Sequence, residues 1–161
     1  MPKPFAFAIR GPLGAGKTTI SKALAKKLGA VVIHIDDVPV VEREWDGGSA
    51  TLFLKANEGA AEMALPQLSR GISVIFDQNF YWKSVIKDLE RRLPVKLKVF
   101  SLKVPLETCI ERDQKRVPSL GHQAAREVFA KVNRFEYGIP IDATKPLTSV
   151  LKEIRGHLRS E

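Results

Sequence analysis

Five short apolar stretches recur along the chain, with segments between them in which apolar residues fall three and four apart. Residues 5–9, Phe-Ala-Phe-Ala-Ile, are long enough for a buried strand. Ile20, Ala23, Leu24 and Leu28 then follow helical spacing, and Gly29 stands where that helix stops. Residues 31–35 are apolar and mostly β-branched, predict a second strand, and run into Asp36-Asp37. A polar patch over 42–49, with Trp45 and Gly47-Gly48, precedes a helical pattern over 52–68, which Pro66 is expected to kink or end. Residues 72–76 predict a third strand ending at Asp77, with Asn79 two positions beyond. A helix over 83–93 stops before Pro94, and 95–103 reads as a fourth strand alternating Leu97, Val99 and Phe100 with lysines. Pro105 suits the first turn of a helix carrying Cys109, Ile110, Glu111, Arg112 and Arg116. A loop over 117–121, a helix over 123–134, a short fifth strand over 139–142 and a last helix from Lys145-Pro146 to Leu158 complete the chain. Strand and helix alternate without repeat or linker. This pattern predicts an α/β fold whose parallel sheet is covered on both faces.

Between the first strand and the first helix lies Gly11-Pro12-Leu13-Gly14-Ala15-Gly16-Lys17-Thr18, followed by Thr19. It matches the phosphate-binding pattern G-x-x-x-x-G-K-[ST] without departure, in the strand–loop–helix setting the motif requires. Three glycines let the backbone turn successive N–H groups inward at a helix N-terminus, which makes an anion-binding nest. Lys17 is placed to reach the β- and γ-phosphates, and Thr18 to set its hydroxyl on Mg²⁺. Gly11, Leu13, Gly14, Ala15, Gly16, Lys17, Thr18 and Thr19 are therefore the candidate residues for binding a nucleoside triphosphate, expected to be ATP with Mg²⁺.

The remaining polar residues cluster after strand ends. Asp36 and Asp37 follow the second strand, where a carboxylate can accept the proton of a substrate hydroxyl during γ-phosphate transfer; the structural alternative is a helix N-cap pair. Asp77 occupies the position at which a carboxylate holds Mg²⁺ directly or through water, or else contacts the substrate. Asp37, Asp77 and Asn79 are candidate substrate-binding residues, and Thr18 with Asp77 the candidate metal ligands. Arg112 and Arg116 are four apart, on one helical face running into a loop with Pro118 and Gly121. This suits a small lid over about 112–125 whose guanidinium groups clamp phosphates and exclude water. Arg116 is its candidate catalytic residue, Arg112 a nucleotide contact, and Arg126 a further arginine able to join them. His34, His122 and His157 have no metal spacing, and His34 reads as a packed or hydrogen-bonded strand residue. Trp45, Phe80, Tyr81 and Trp82 read as core flanks rather than stacking platforms. Purine choice is expected to rest on loop contacts near 139–144.

Composition narrows the setting. The chain has 161 residues, 44% hydrophobic and 27% charged, as in one ordinary globular domain. No apolar run approaches the roughly 20 residues that span a bilayer, and the N-terminus lacks a signal-peptide pattern, so no membrane partner is expected. A single cysteine, Cys109, leaves no internal disulfide and fits a reducing, cytoplasmic location. The net charge of +8 favours an anionic partner such as RNA, DNA or a phosphorylated metabolite; the other reading is a lysine-rich solvated surface.

Together, the P-loop, the strand ending in Ile35-Asp36-Asp37, the strand ending in Phe76-Asp77 and the Arg-x-x-x-Arg stretch resemble small P-loop kinases. The nearest group holds polynucleotide 5′-hydroxyl kinases, zeta-type toxins and chloramphenicol phosphotransferases. Val74-Ile75-Phe76-Asp77-Gln78-Asn79-Phe80 is similar to the strand and loop of the polynucleotide kinases. The resemblance implies a single three-layer P-loop domain with a parallel five-stranded sheet in the order 2-3-1-4-5. It also implies transfer of the γ-phosphate of ATP to a hydroxyl-bearing acceptor, with Asp36 as general base. Those kinases usually carry an arginine a few residues beyond the carboxylate. Here Val38-Pro39-Val40-Val41 intervenes and Arg43 comes late, which weighs against a nucleic-acid 5′ end and toward a small molecule, nucleoside or nucleotide. The reading from another class is a non-kinase nucleotide-binding switch or regulatory ATPase. No N-K-x-D guanine-reading segment is present.

Overall fold

A computed structural model describes residues 3–39, 50–116 and 119–159. The polar patch over 42–49, Arg43, and Val117 and Pro118 of the expected loop lie outside the described residues. Five strands, β1 (Ala6–Arg10), β2 (Val31–His34), β3 (Val74–Gln78), β4 (Leu97–Lys103) and β5 (Ile139–Asp142), pair in parallel in the order β2-β3-β1-β4-β5. The expected order is the observed one. Among the described residues, six helices, α1 (Lys17–Leu28), α2 (Ala50–Ser69), α3 (Lys83–Arg91), α4 (Leu106–Gln114), α5 (His122–Val132) and α6 (Leu147–Arg159), connect and cover them.

Both faces of the sheet are buried, which is why β1 is apolar at consecutive rather than alternate positions. Ala6, Ala8, Val74 and Phe76 point to one face and pack on Ala60 and Ala64 of α2 and Val85, Ile86 and Leu89 of α3. Phe7, Ile9 and Ile75 point to the other and pack on Ile20 and Leu24 of α1 and Leu151 and Ile154 of α6. Small alanines on α2 bring that helix close to the sheet, while branched residues fill the opposite layer.

The element boundaries differ from the sequence reading where side chains or backbone demand it. β2 ends at His34, and Ile35–Asp37 turn as a single 3-10 helical turn. The two carboxylates therefore sit on that turn rather than on the strand end. β3 begins at Val74 and runs to Gln78, so Asp77 belongs to the strand. Pro66 does not end α2, which continues to Ser69. Proline this near the end removes one backbone bond, and the packing of Ala60, Ala64 and Leu68 carries the helix through it. α4 closes at Gln114, capped by Lys115, so Arg116 lies beyond the helix and does not share its face with Arg112. Cys109 is fully buried in the apolar layer, as its position predicted.

Candidate active site

The phosphate-binding loop connects the end of β1 to α1 and turns at two glycines in the left-handed region, Gly14 at φ 83° and Gly16 at φ 95°. Only glycine adopts this backbone without strain. At Gly14 the space is closed as well, because a Cβ would stand 2.4 Å from the carbonyl oxygen of Cys109 on α4. The Ala15 amide donates to Pro12 O (3.1 Å), and the Ile20 amide to Gly16 O (2.9 Å), which starts the helix at the end of the loop. Lys17 reaches back to donate to Pro12 O at 3.3 Å. Burial lowers its pKa, and the charges of Asp77 and Asp36 act against that.

Asp77 lies opposite His34 in the β2–β3 register and is 5% exposed. Its Oδ2 accepts from the Thr18 hydroxyl at 3.1 Å and from His34 Nδ1 at 3.0 Å. Asp36 opens onto the same cleft. Crowding around its carboxyl removes water and raises its pKa; the charge of Lys17 pulls it back down, while Asp77 and Asp37 push it further up. Lys17, Thr18, Asp36, Asp37, Asp77 and Asn79 line one cleft of about 670 Å³, with Arg116 at its edge. Asn79 donates its side-chain amide to the Tyr81 hydroxyl at 2.9 Å. Tyr81 stands edge-on to Phe53 and Trp82 in an aromatic cluster. The structure thus brings all these predicted residues to one opening.

A second opening, of about 470 Å³, lies over the phosphate loop and is bordered by Leu13, Thr19, Arg112 and Arg116. Arg112 is anchored rather than poised to swing. It donates from Nη1 to Gly14 O (3.4 Å) and Ala15 O (3.2 Å), and from Nη2 to Ala143 O (3.0 Å). It also borders a third recess of about 230 Å³ with Ile20, Ala143, Lys145 and Leu147, on the side where purine contacts were expected. Arg116 is half exposed and lies 3.8 Å from Asp113 Oδ1. Arg126 is exposed on α5.

A family model for an AAA domain, AAA_33, matches residues 7–136. The chain belongs to the AAA_33 family. The fold of this AAA_33 domain is that of P-loop NTPases, and solved kinases share it across their whole length. It superposes on a gluconokinase from Sinorhizobium meliloti 1021 with a TM-score of 0.74, at 16% identity and with all of both chains covered. It superposes on the APS kinase of Mycobacterium tuberculosis, solved with AMPPNP and APS, with a TM-score of 0.79 at 14% identity, covering 99% of this chain and 100% of that one. A curated tRNA dimethylallyltransferase from Koribacter versatilis is 44% identical over 50 residues, which is 31% of this chain and 16% of that protein.

Three buried polar side chains of this AAA_33 domain carried no readable signal in the sequence. Gln78, 1% exposed, lies beside Asp36, and its side-chain amide acts to lower the Asp36 pKa. Asp113 accepts from Ser119 Oγ (2.9 Å) and the amides of Leu120 (3.4 Å) and Gly121 (3.1 Å), which fixes the segment after Arg116. Arg10, 1% exposed, ends β1 and donates from Nε to Phe80 O at 3.1 Å, with its guanidinium 4.3 Å over the Phe135 ring. Burial lowers its pKa to about 10, against the raising effect of Glu136. A polar residue buried by tertiary contact reads, along the chain, as an ordinary exposed one.

Proposed function

We propose that this chain is an ATP-dependent kinase that transfers the γ-phosphate of ATP to a hydroxyl of a small molecule, nucleoside or nucleotide. The observation that carries the reading is the shared cleft lined by both Lys17 of the phosphate loop and Asp36, whose charges act on one another. A nucleotide-binding switch needs the first residue and has no use for the second. In this reading the loop from Gly11 to Thr19 wraps the phosphates with its amides, and Lys17 neutralises charge building on the γ-phosphoryl oxygens. The acceptor lies over Asp36, Asp37 and Asn79. Asp36 takes the acceptor hydroxyl proton as the new O–P bond forms and the bond from the γ-phosphorus to the bridging oxygen breaks, so that ADP departs. Its raised pKa suits the task, because a carboxylate that holds a proton more readily is a better base. Arg116 borders both the phosphate loop and the acceptor cleft, the position from which a guanidinium stabilises the group in flight.

The donor set fits a divalent ion. The Thr18 hydroxyl and the Asp77 carboxylate are hard oxygen donors 3.1 Å apart beside the phosphate loop, the kind of ligands that hold Mg²⁺ together with water and phosphate oxygens. When bound, Mg²⁺ offsets charge on the β- and γ-phosphate oxygens. Arg112, bordering the recess with Ala143 and Lys145, is assigned to the nucleotide base side.

Lys17→Ala tests the phosphate-loop assignment. Transfer should vanish while the circular dichroism spectrum and melting curve stay close to wild type, and full activity in that variant would remove the reading. A second reading, phosphorylation of a polynucleotide 5′-hydroxyl, draws on the net charge of +8.

A further inference from the structure

Asp77 is held by two donors that come from different parts of the chain. Thr18 reaches it from the first turn of α1, and His34 from the last position of β2, directly across the β2–β3 ladder. Both bonds land on Oδ2. Because a carboxylate oxygen accepts, His34 Nδ1 is the donor of the 3.0 Å bond, which fixes the imidazole tautomer and the plane of the ring. Among the described residues, the hydrogen bonds of the Asp77 carboxylate leave Oδ1 as the oxygen available to a cation shell. His34 is about one-third exposed at the cleft, so the bond to Asp77 does not come from close packing of a core residue.

We propose that His34 is a positioning residue for the metal-binding carboxylate: its Nδ1–H holds Asp77 Oδ2 and keeps Oδ1 turned toward the divalent ion that accompanies the nucleotide. The inference rests on the reading of Thr18 and Asp77 as metal ligands. The physical reason is rotational. A carboxylate held only by Thr18 can turn about its last torsion, and a second donor from the neighbouring strand fixes its plane. The imidazole is the one donor of the pair that has no other duty at the metal. Outer-shell partners of this kind commonly change metal affinity by about 10- to 100-fold when removed.

The experiment is a titration of Mn²⁺ into the full chain with a non-hydrolysable ATP analogue, with free Mn²⁺ read by electron paramagnetic resonance. Wild type and His34→Asn, which keeps an N–H close to the Nδ1 position, should bind Mn²⁺ within about threefold of one another. His34→Leu should bind it about tenfold or more weakly. Affinity for the analogue without metal should be the same in all three, since the phosphate loop is untouched. If His34→Leu folds poorly, His34→Phe, a ring of similar size with no donor, is read in the same way. Mn²⁺ affinity in the Leu or Phe variant equal to wild type would overturn the proposal. Asp77→Ala separates the two levels: if it too binds Mn²⁺ as wild type does, the metal-ligand reading of Asp77 has failed rather than the role of His34.

Discussion

In the proposed transfer Asp36 is the base, and its surroundings set its pH behaviour. Its pKa is raised by loss of water around the carboxyl, with the charge of Lys17 opposing. A base must be deprotonated to act, so the acid limb of the rate profile should lie above the ordinary aspartate range. Stability follows the opposite sense. A carboxyl whose folded pKa is raised gives its full contribution at low pH and loses it as pH rises through the folded value. Asp36→Asn should therefore lower turnover by about two to four orders of magnitude. It should also melt higher than wild type at pH 8 and show no such gain at pH 4; steady-state rates and thermal melts at the two pH values check both. Arg112 and Arg116 should separate by their effects on rate and on binding. Arg116→Ala should lower kcat with little change in the KM for ATP. Arg112→Ala leaves the carbonyls of Gly14, Ala15 and Ala143 without their donor, an effect of roughly 1–3 kcal/mol. It should raise the KM for ATP and lower the melting temperature.

The β1–loop–α1 unit was legible because every constraint on it is local. A buried strand, glycines at two left-handed positions and a lysine at the start of a helix are all written within 20 consecutive residues. Gly14 shows how tightly the unit is also bound to its surroundings: φ is 83° and a Cβ would stand 2.4 Å from Cys109 O. Gly14→Ala should destabilise the fold by roughly 1–3 kcal/mol through backbone strain alone. Part of the loss should appear as weaker nucleotide binding, measured by urea unfolding and by titration with an ATP analogue. The α4 region was less legible. Spacing alone put Arg112 and Arg116 on one helical face, but the helix ends between them. The anchoring of Arg112 depends on Ala143, 31 residues away, and that of the 119–121 segment on Asp113. His34 is the hydrogen-bonded strand residue that was expected, but its partner and that of Gln78 were not legible, because they come from the neighbouring strand or the turn beyond it.

At the scale of the whole molecule, the parallel sheet gathers the ends of β1, β2 and β3 at one edge, so residues 17, 36 and 77 meet although the chain separates them widely. Alternation of apolar runs foretold the sheet and its two covered faces, and the strand order followed from the family resemblance. No acceptor was legible, because the candidate cleft is assembled from segments far apart in the chain. Among the described residues, no helix is long and apolar enough to cross a membrane. The most direct test of the kinase reading is ADP release with ATP and Mg²⁺ across a panel of acceptors: nucleosides, nucleotides, sugars, amino acids, cofactor precursors, and 5′-hydroxyl RNA and DNA oligonucleotides. The account predicts that one hydroxyl-bearing class stimulates release well above background, and that the stimulation disappears in Lys17→Ala and falls steeply in Asp36→Asn. A slow release that no acceptor changes, the same in Asp36→Asn as in wild type, would contradict it and mark the chain as a nucleotide-binding switch.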